Sequence, residues 1–572
     1  MNRIGKYIAR YWYLYAIGIT SMVISISLDV TSPRITRSII DDVIVGGKIE
    51  LLTRLLLALL GIGFGRAIFQ YIKEFVFDVA SVSIAADMRK NLFQHIQKLS
   101  IRYFDKNNTG ELMARVKDDV DKVWNAIGFV GMLIIECIIH TTIVLYSMFS
   151  ISPILTIVPL LIMPIVGYIA VVMENKLGKV YEEISEQNAE LNTVAQENLA
   201  GVRTVKSFAR EDYEIEKFAK HNKKYYDLNM QQAKILIKHN PNISFLTKVL
   251  LVAVITIGGI LVIRGKITIG ELGAFTEYAN NIIWPMELLG WLSNDFASAV
   301  ASNKKINKIL LEESEIKEPE SPVTLGKVQG EIELKNVSFD LYDSKILEGI
   351  SLKVGKGKTI GIMGMTGSGK TSIVNLLERF YDVDNGEILL DGVNIKELSL
   401  RELRQNIAIV MQDVFLFSDS IEENIKIGSK YEMDSETIRQ AAEAANAKEF
   451  IEDLSSGYET VIGERGVGLS GGQKQRISIA RALAKEAAVL IMDDSTSALD
   501  METEYEIQQK LQMLKDTTKI IIAHRISAVK NADEIIILEN GKIAERGNHE
   551  ELINKKGLYY ATYEAQYEGY VG

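Results

Sequence analysis

Apolar positions divide the chain into two parts. Residues 11–30, 127–149, 154–172 and 243–263 are runs close to the roughly 20 apolar residues that a helix needs to cross a bilayer. Two weaker segments, 55–71 with Arg66 and 269–296 with Glu277, Glu287 and Asp295, are counted with them, because an even number of spans returns the chain to the side where it began. Six spans are therefore predicted, with the polar side chains facing protein or water rather than lipid. The connections 73–122 and 176–238 are helical in pattern and contain few Gly or Pro, so the spanning helices are expected to run well past the membrane. Beyond about residue 304 the pattern changes to short apolar strands alternating with charged helices. The predicted domains are 1–310 (membrane), 311–328 (linker) and 329–572 (α/β).

Charge sets the orientation. Lys and Arg are dense before the first span and in 73–122 and 176–238, whereas 31–54 and 150–153 carry little positive excess. Cytoplasmic loops accumulate basic residues, so both termini are expected in the cytoplasm. Arg3, Lys6 and Arg10 precede the first apolar run, but no small-residue cleavage site follows and Asp29 interrupts it, which reads as a retained helix. A net charge of −10 speaks against a nucleic-acid partner. The single cysteine, Cys137, excludes a disulfide framework and a cysteine-rich metal site, and its apolar surroundings read as packing.

Within the spans, Glu136 and His140 lie four apart on one helical face. Ionisable groups at that depth are candidates for substrate contact, and an interhelical hydrogen bond is the structural alternative. With Glu277 and Glu287 they would suit a cationic amphiphile.

The second half carries sharper chemistry. The apolar strand 359–363 leads into Gly364-Met-Thr366-Gly367-Ser368-Gly369-Lys370-Thr371, and a helical run begins at Ser372. Strand, G-x-x-x-x-G-K-T and helix together make a phosphate-binding loop, whose glycines let backbone N–H groups and a helix N-terminus face an anion. Lys370 would reach the β- and γ-phosphates, and the Thr371 hydroxyl would sit on Mg²⁺. A second apolar strand, 489–492, ends in Asp493-Asp494; one carboxylate can hold Mg²⁺ while its neighbour faces the attacking water. ATP and Mg²⁺ are the expected ligands.

Leu469-Ser470-Gly471-Gly472-Gln473 resembles the signature of ATP-binding cassette (ABC) proteins. Gln412 is similar to the family's Q-loop glutamine, which also approaches the metal, and Gly463-Glu464-Arg465-Gly466 to the exporter X-loop. Ser497-Ala498-Leu499-Asp500 resembles the D-loop, His524 the switch histidine and Asn548-His549-Glu550-Glu551-Leu552 the C-terminal element. Thr109-Gly110-Glu111-Leu112 and 197–203 are similar to the cytoplasmic turns of exporter membrane domains. The resemblance covers nearly the whole chain. It implies a polytopic α-helical membrane domain of six transmembrane helices, with long cytoplasmic extensions, fused to an α/β P-loop cassette. It also implies a dimer in which Ser470, Gly471, Gly472 and Gln473 serve the nucleotide held by the partner.

Two positions depart from the family. Asp494 stands where a glutamate usually polarises water; it is one methylene shorter, so slow hydrolysis is expected at this site. Family members with this aspartate and an intact signature commonly pair with a different half that supplies the glutamate, and a homodimer with two aspartate sites is the alternative. The usual adenine-stacking aromatic position is Leu341, so Tyr342 is the candidate. The resulting expectation is an ATP-driven exporter half, heterodimeric, multi-pass in a bacterial cytoplasmic membrane. Its cargo would be hydrophobic or amphipathic small molecules, drugs included; a lipid or peptide exporter and a slow nucleotide-binding regulator are the rivals.

Overall fold

The computed structural model describes residues 2–342, 344–428, 433–463 and 466–567. Two compact units emerge. One contains residues 1–98 and 107–312, the other residues 99–106 and 313–572.

The first unit is helical throughout. Five helices are long and apolar enough to cross a membrane: Trp12–Val45, Glu50–Ile96, Thr109–Ile151, Pro153–Ala200 and Glu211–Ile263. The last of these has 53 residues, about 80 Å at 1.5 Å per residue, far more than a bilayer requires. The expected sixth span behaves differently. Residues 269–296 fold as Ile269–Asn281 followed by Ile283–Leu311, broken at Ile282. Pro285 explains the break, because it offers no N–H to the Asn281 carbonyl and its ring crowds that turn. Glu277, Glu287 and Asp295 also dilute the segment's apolar character, so its status as a span stays a proposal. The bundle core forms around Met22, Phe77, Met148, Leu155, Phe275 and Tyr278, all fully buried or nearly so. The Tyr278 hydroxyl donates to the Val30 carbonyl at 2.6 Å, which places a polar atom in that core without leaving it unpaired.

The second unit contains two sheets. β1 (Ile332–Leu341), β2 (Ser344–Val354), β4 (Asn385–Leu390) and β5 (Val393–Asn394) form an antiparallel sheet in the order β2-β1-β4-β5. β3 (Thr359–Gly364), β6 (Ile407–Val410), β7 (Val489–Asp493), β8 (Thr518–Ile522), β9 (Glu534–Glu539) and β10 (Lys542–Gly547) form the other, in the order β10-β9-β3-β8-β7-β6. All its neighbours are parallel except β10 and β9. Strands buried on both faces read as continuous apolar runs, as Val489-Leu490-Ile491-Met492 does. The carboxyl ends of β3, β8 and β7 lie side by side, the usual position for a ligand in an open α/β sheet.

Residues 99–106 belong to this second unit although they lie far from it in sequence. The Tyr381 hydroxyl donates to Asp105 Oδ2 at 2.5 Å, and Arg102 Nε pairs with Glu315 Oε2 at 3.3 Å. The Tyr381 ring packs on Phe339 of β1, with ring centroids 5.5 Å apart.

Candidate functional site

The loop after β3 has its path fixed by glycine. Gly364, Gly367 and Gly369 take φ of +155°, +83° and +100°. A Cβ on Gly364 would meet the Leu538 carbonyl oxygen at 2.3 Å, and one on Gly369 would meet Leu347 Cδ2 at 2.6 Å. Both are positions where only glycine fits. The loop opens into the helix Lys370–Leu377, whose first-turn N–H groups have no intrahelical acceptors. Lys370 is buried, and its ammonium donates to the Gly364 and Met365 carbonyls at 2.9 Å each. Burial lowers its pKa, against the opposing pull of Asp493 and Asp494. Thr366 and Gly367 are exposed at the loop crest, and Ser368 is buried with no hydrogen-bond partner for its hydroxyl.

Asp493 closes β7 beside this loop. Burial raises its pKa, while a hydrogen bond from Thr371, together with the charges of Lys370 and His524, pulls it down. Thr371 and Asp493 thus offer two hard oxygens within reach of each other. Among the described residues no three His, Cys, Asp or Glu side chains converge on a point. The oxygen pair fits a Mg²⁺ ion that completes its shell with phosphate and water oxygens. Asp494 follows in the left-handed region, φ +44°, its N–H donating to the Ile522 carbonyl at 2.9 Å. His524 is exposed just beyond β8. The helix Leu558–Tyr567 grips the chain around it: Gln566 Nε2 donates to the His524 carbonyl at 2.8 Å, and Gln566 Oε1 accepts from the Ile526 N–H at 3.0 Å. Gln412 is exposed just after β6.

The signature forms the start of the helix Gly471–Leu483. Ser470 and Gln473 make a reciprocal capping box: Ser470 Oγ accepts from the Gln473 N–H, and Gln473 Oε1 accepts from the Ser470 N–H. Capping leaves the Gly471 and Gly472 N–H groups without intrahelical acceptors, and Ser470 keeps its hydroxyl proton to donate. Gln475 Oε1 accepts from the Ala498 N–H at 3.1 Å, tying residues 497–500 to this helix. Asp500 caps the helix Met501–Met513, and the hydrogen bond from the Thr503 N–H lowers its pKa. Tyr342 lies at the end of β1 with φ +50° and is half-exposed. Of the Gly463–Gly466 segment, Glu464 and Arg465 lie outside the described residues.

In the membrane unit, Glu136 and His140 line one cavity of about 210 Å³ together with Asp29, Arg66, Lys73 and Glu74. Glu136 is held by Lys73, whose ammonium reaches both carboxylate oxygens at 2.9 and 3.0 Å. Asp29 pairs with Arg66, and His140 Nε2 lies 3.8 Å from Asp29 Oδ2. Glu277 and Glu287 are not among the lining residues. Lys73 and Glu74 drew no notice in the sequence, where they read as the start of a basic connection.

Two family models match the chain. Residues 15–286 match the ABC transporter transmembrane region, and residues 347–497 match the ABC transporter family. An uncharacterized ABC transporter ATP-binding protein of Bacillus subtilis, YknU, is 35% identical over 569 residues, spanning 99% of this chain and 97% of its own. An ATP-dependent lipid A-core flippase of Syntrophus aciditrophicus is 34% identical, covering 97% of this chain and 92% of its own. A Staphylococcus aureus protein with the provisional name of multidrug export ATP-binding/permease protein is 38% identical over 87% of this chain and 86% of its own. The solved structure of a bacterial Atm1-family ABC exporter with ATP bound superposes with a TM-score of 0.83 at 26% identity, covering 97% of this chain and 99% of that one. A glycine-shaped phosphate loop, a strand-end carboxylate and a capped signature helix, fused to a membrane bundle, place the chain in the ABC transporter family as an exporter that couples ATP hydrolysis to transport.

Proposed function

We propose that this chain is one half of a heterodimeric exporter in a bacterial cytoplasmic membrane, with both termini in the cytoplasm, moving hydrophobic or amphipathic small molecules. The observation that carries the pairing is Asp494 combined with an unaltered Ser470–Gln473 cap. In this reading Lys370 and the loop N–H groups from Thr366 to Ser372 hold the phosphates, and Tyr342 packs on the base. Thr371, Asp493 and Gln412 would hold Mg²⁺, which when bound would supply positive charge to offset the phosphates. Asp494 and His524 attend the attacking water. An aspartate falls about 1 Å short of a glutamate's reach, a displacement that can cost roughly 100-fold in rate. Ser470, Gly471 and Gly472 present a positive helix end and free donors to the nucleotide on the partner, where the partner's glutamate would make the fast site. Asp500 sets the start of the adjoining helix.

The test is purification of this chain from its native membrane, followed by substitution in the complex recovered. A second half with the glutamate and an altered signature is expected. Asp494→Glu should then raise hydrolysis, and Ser470→Ala should depress it more than Asp494→Asn does. Recovery of this chain alone, or a reversed order of effects, would replace the asymmetric pair with a homodimer.

A further inference from the structure

The membrane-unit cavity has a charge pattern that only the assembled structure reveals. Two of its three carboxylates are already engaged: Asp29 by Arg66 and Glu136 by Lys73. A ligand cation at Glu136 would strand the Lys73 ammonium, whose side chain is only 3% exposed. Glu74 differs. It accepts a hydrogen bond from Gln70 Nε2 at 3.1 Å, and among the described residues no cation pairs with it. Among the cavity's carboxylates and Lys and Arg side chains, one carboxylate is thus left uncompensated. Its remaining walls include the rings of Trp284 and Phe129. Trp284 stacks on His140 with the ring planes 11° apart. His140 is itself 6% exposed and has no hydrogen-bond partner for Nδ1, so a buried polar atom is left unsatisfied in the wall.

We propose that this cavity takes an organic monocation with an apolar or aromatic body, and that Glu74 selects for its charge. This deepens the exporter reading and rests on it. Aromatic faces attract quaternary ammonium groups, and a lone carboxylate supplies the counter-charge. An anion would have to displace both carboxylates from their cations and would then face Glu74. The cationic cargo expected from the sequence is kept, with its carboxylate moved from Glu136, Glu277 and Glu287 to Glu74.

The test uses the intact complex in lipid nanodiscs, with benzyltrimethylammonium as probe and its neutral carbon isostere, neopentylbenzene, as control. Equilibrium binding and stimulation of ATP hydrolysis are both read. The native complex should favour the cation. Glu74 is exposed, so Glu74→Gln should weaken cation binding about two- to fivefold, the scale of one solvent-reached ion pair, without weakening the isostere. Glu74→Asp should recover part of the loss. Arg66→Gln, which frees Asp29, should tighten cation binding, an effect that misfolding cannot imitate. Equal loss of both probes in Glu74→Gln, or no charge preference in the native complex, overturns the site. ATP-dependent transport without cation binding removes the site and leaves the exporter reading; cation binding without such transport does the reverse.

Discussion

Glu378 tests the electrostatics of the cassette quantitatively. It is the C-cap of the phosphate-loop helix Lys370–Leu377 and is 3% exposed, and Oε1 has no hydrogen-bond partner. Burial drives its pKa up from 4.5 to about 7, although Lys485 and Arg404 pull the other way. The negative end of the helix dipole acts in the same direction as burial. The folded protein therefore holds this proton more tightly than the unfolded chain does. The group costs nothing below pH 4.5, costs progressively more as pH rises to 7, and costs a constant amount above that. The full displacement corresponds to about 3 kcal/mol at 1.36 kcal/mol per pKa unit. Glu378→Gln keeps the shape and removes the charge. The variant should exceed the native protein in stability by only about 1 kcal/mol near pH 5 and by up to about 3 kcal/mol at pH 8. For a domain of this size that is roughly 6–12 °C in the cassette's unfolding midpoint. The assay is thermal unfolding of the purified full chain at both pH values at one scan rate. A stability difference independent of pH, or a variant less stable at pH 8, would refute the assignment.

Three further outcomes follow from contacts described above. Gly364→Ala should abolish binding of a fluorescent ATP analogue, because its Cβ would lie 2.3 Å from the Leu538 carbonyl oxygen; retained affinity would contradict a glycine-dictated loop. Lys73→Met should lower stability by about 3–5 kcal/mol by leaving Glu136 uncompensated, and adding Glu136→Leu should restore most of the loss in a thermal assay. Tyr381→Phe and Asp105→Ala should each cost about 1–3 kcal/mol, with the double variant costing less than the sum, since both remove the same charge-assisted hydrogen bond. Additive losses would show the two residues acting independently.

The cassette was largely legible because its chemistry is written locally. The loop glycines and Lys370 follow β3 directly and Asp493 ends β7, with β8 between them, so a strand and the loop after it flag each, while the Ser470–Gln473 cap is contained in one helix start. The membrane cavity was not. Lys73 and Glu136 are 63 residues apart in sequence, and nothing in a helical pattern says that one silences the other. Glu74 therefore became visible only after its neighbours were paired. Pro285 marks the division of segment 269–296, whereas its place among six spans rests on an even number returning the chain to the side where it began. In the sequence, residues 99–106 fall inside the helical connection 73–122 of the membrane half, with Tyr103-Phe104-Asp105 at a turn. Their membership of the cassette unit depends on Tyr381 and Glu315, contacts that no periodicity reveals.

That membership bears on how the protein is made. Synthesis runs from the N-terminus, so Asp105 leaves the ribosome 276 residues before Tyr381, and Arg102 likewise precedes Glu315. The cassette cannot be finished from its own C-terminal stretch. It matures against a strip delivered earlier and anchored at both ends in the helical bundle, so a bundle that inserts wrongly withholds part of the cassette's surface. A cassette expressed from residue 313 onward would leave the Tyr381 hydroxyl without Asp105 and uncover a ring that is 8% exposed in the whole chain.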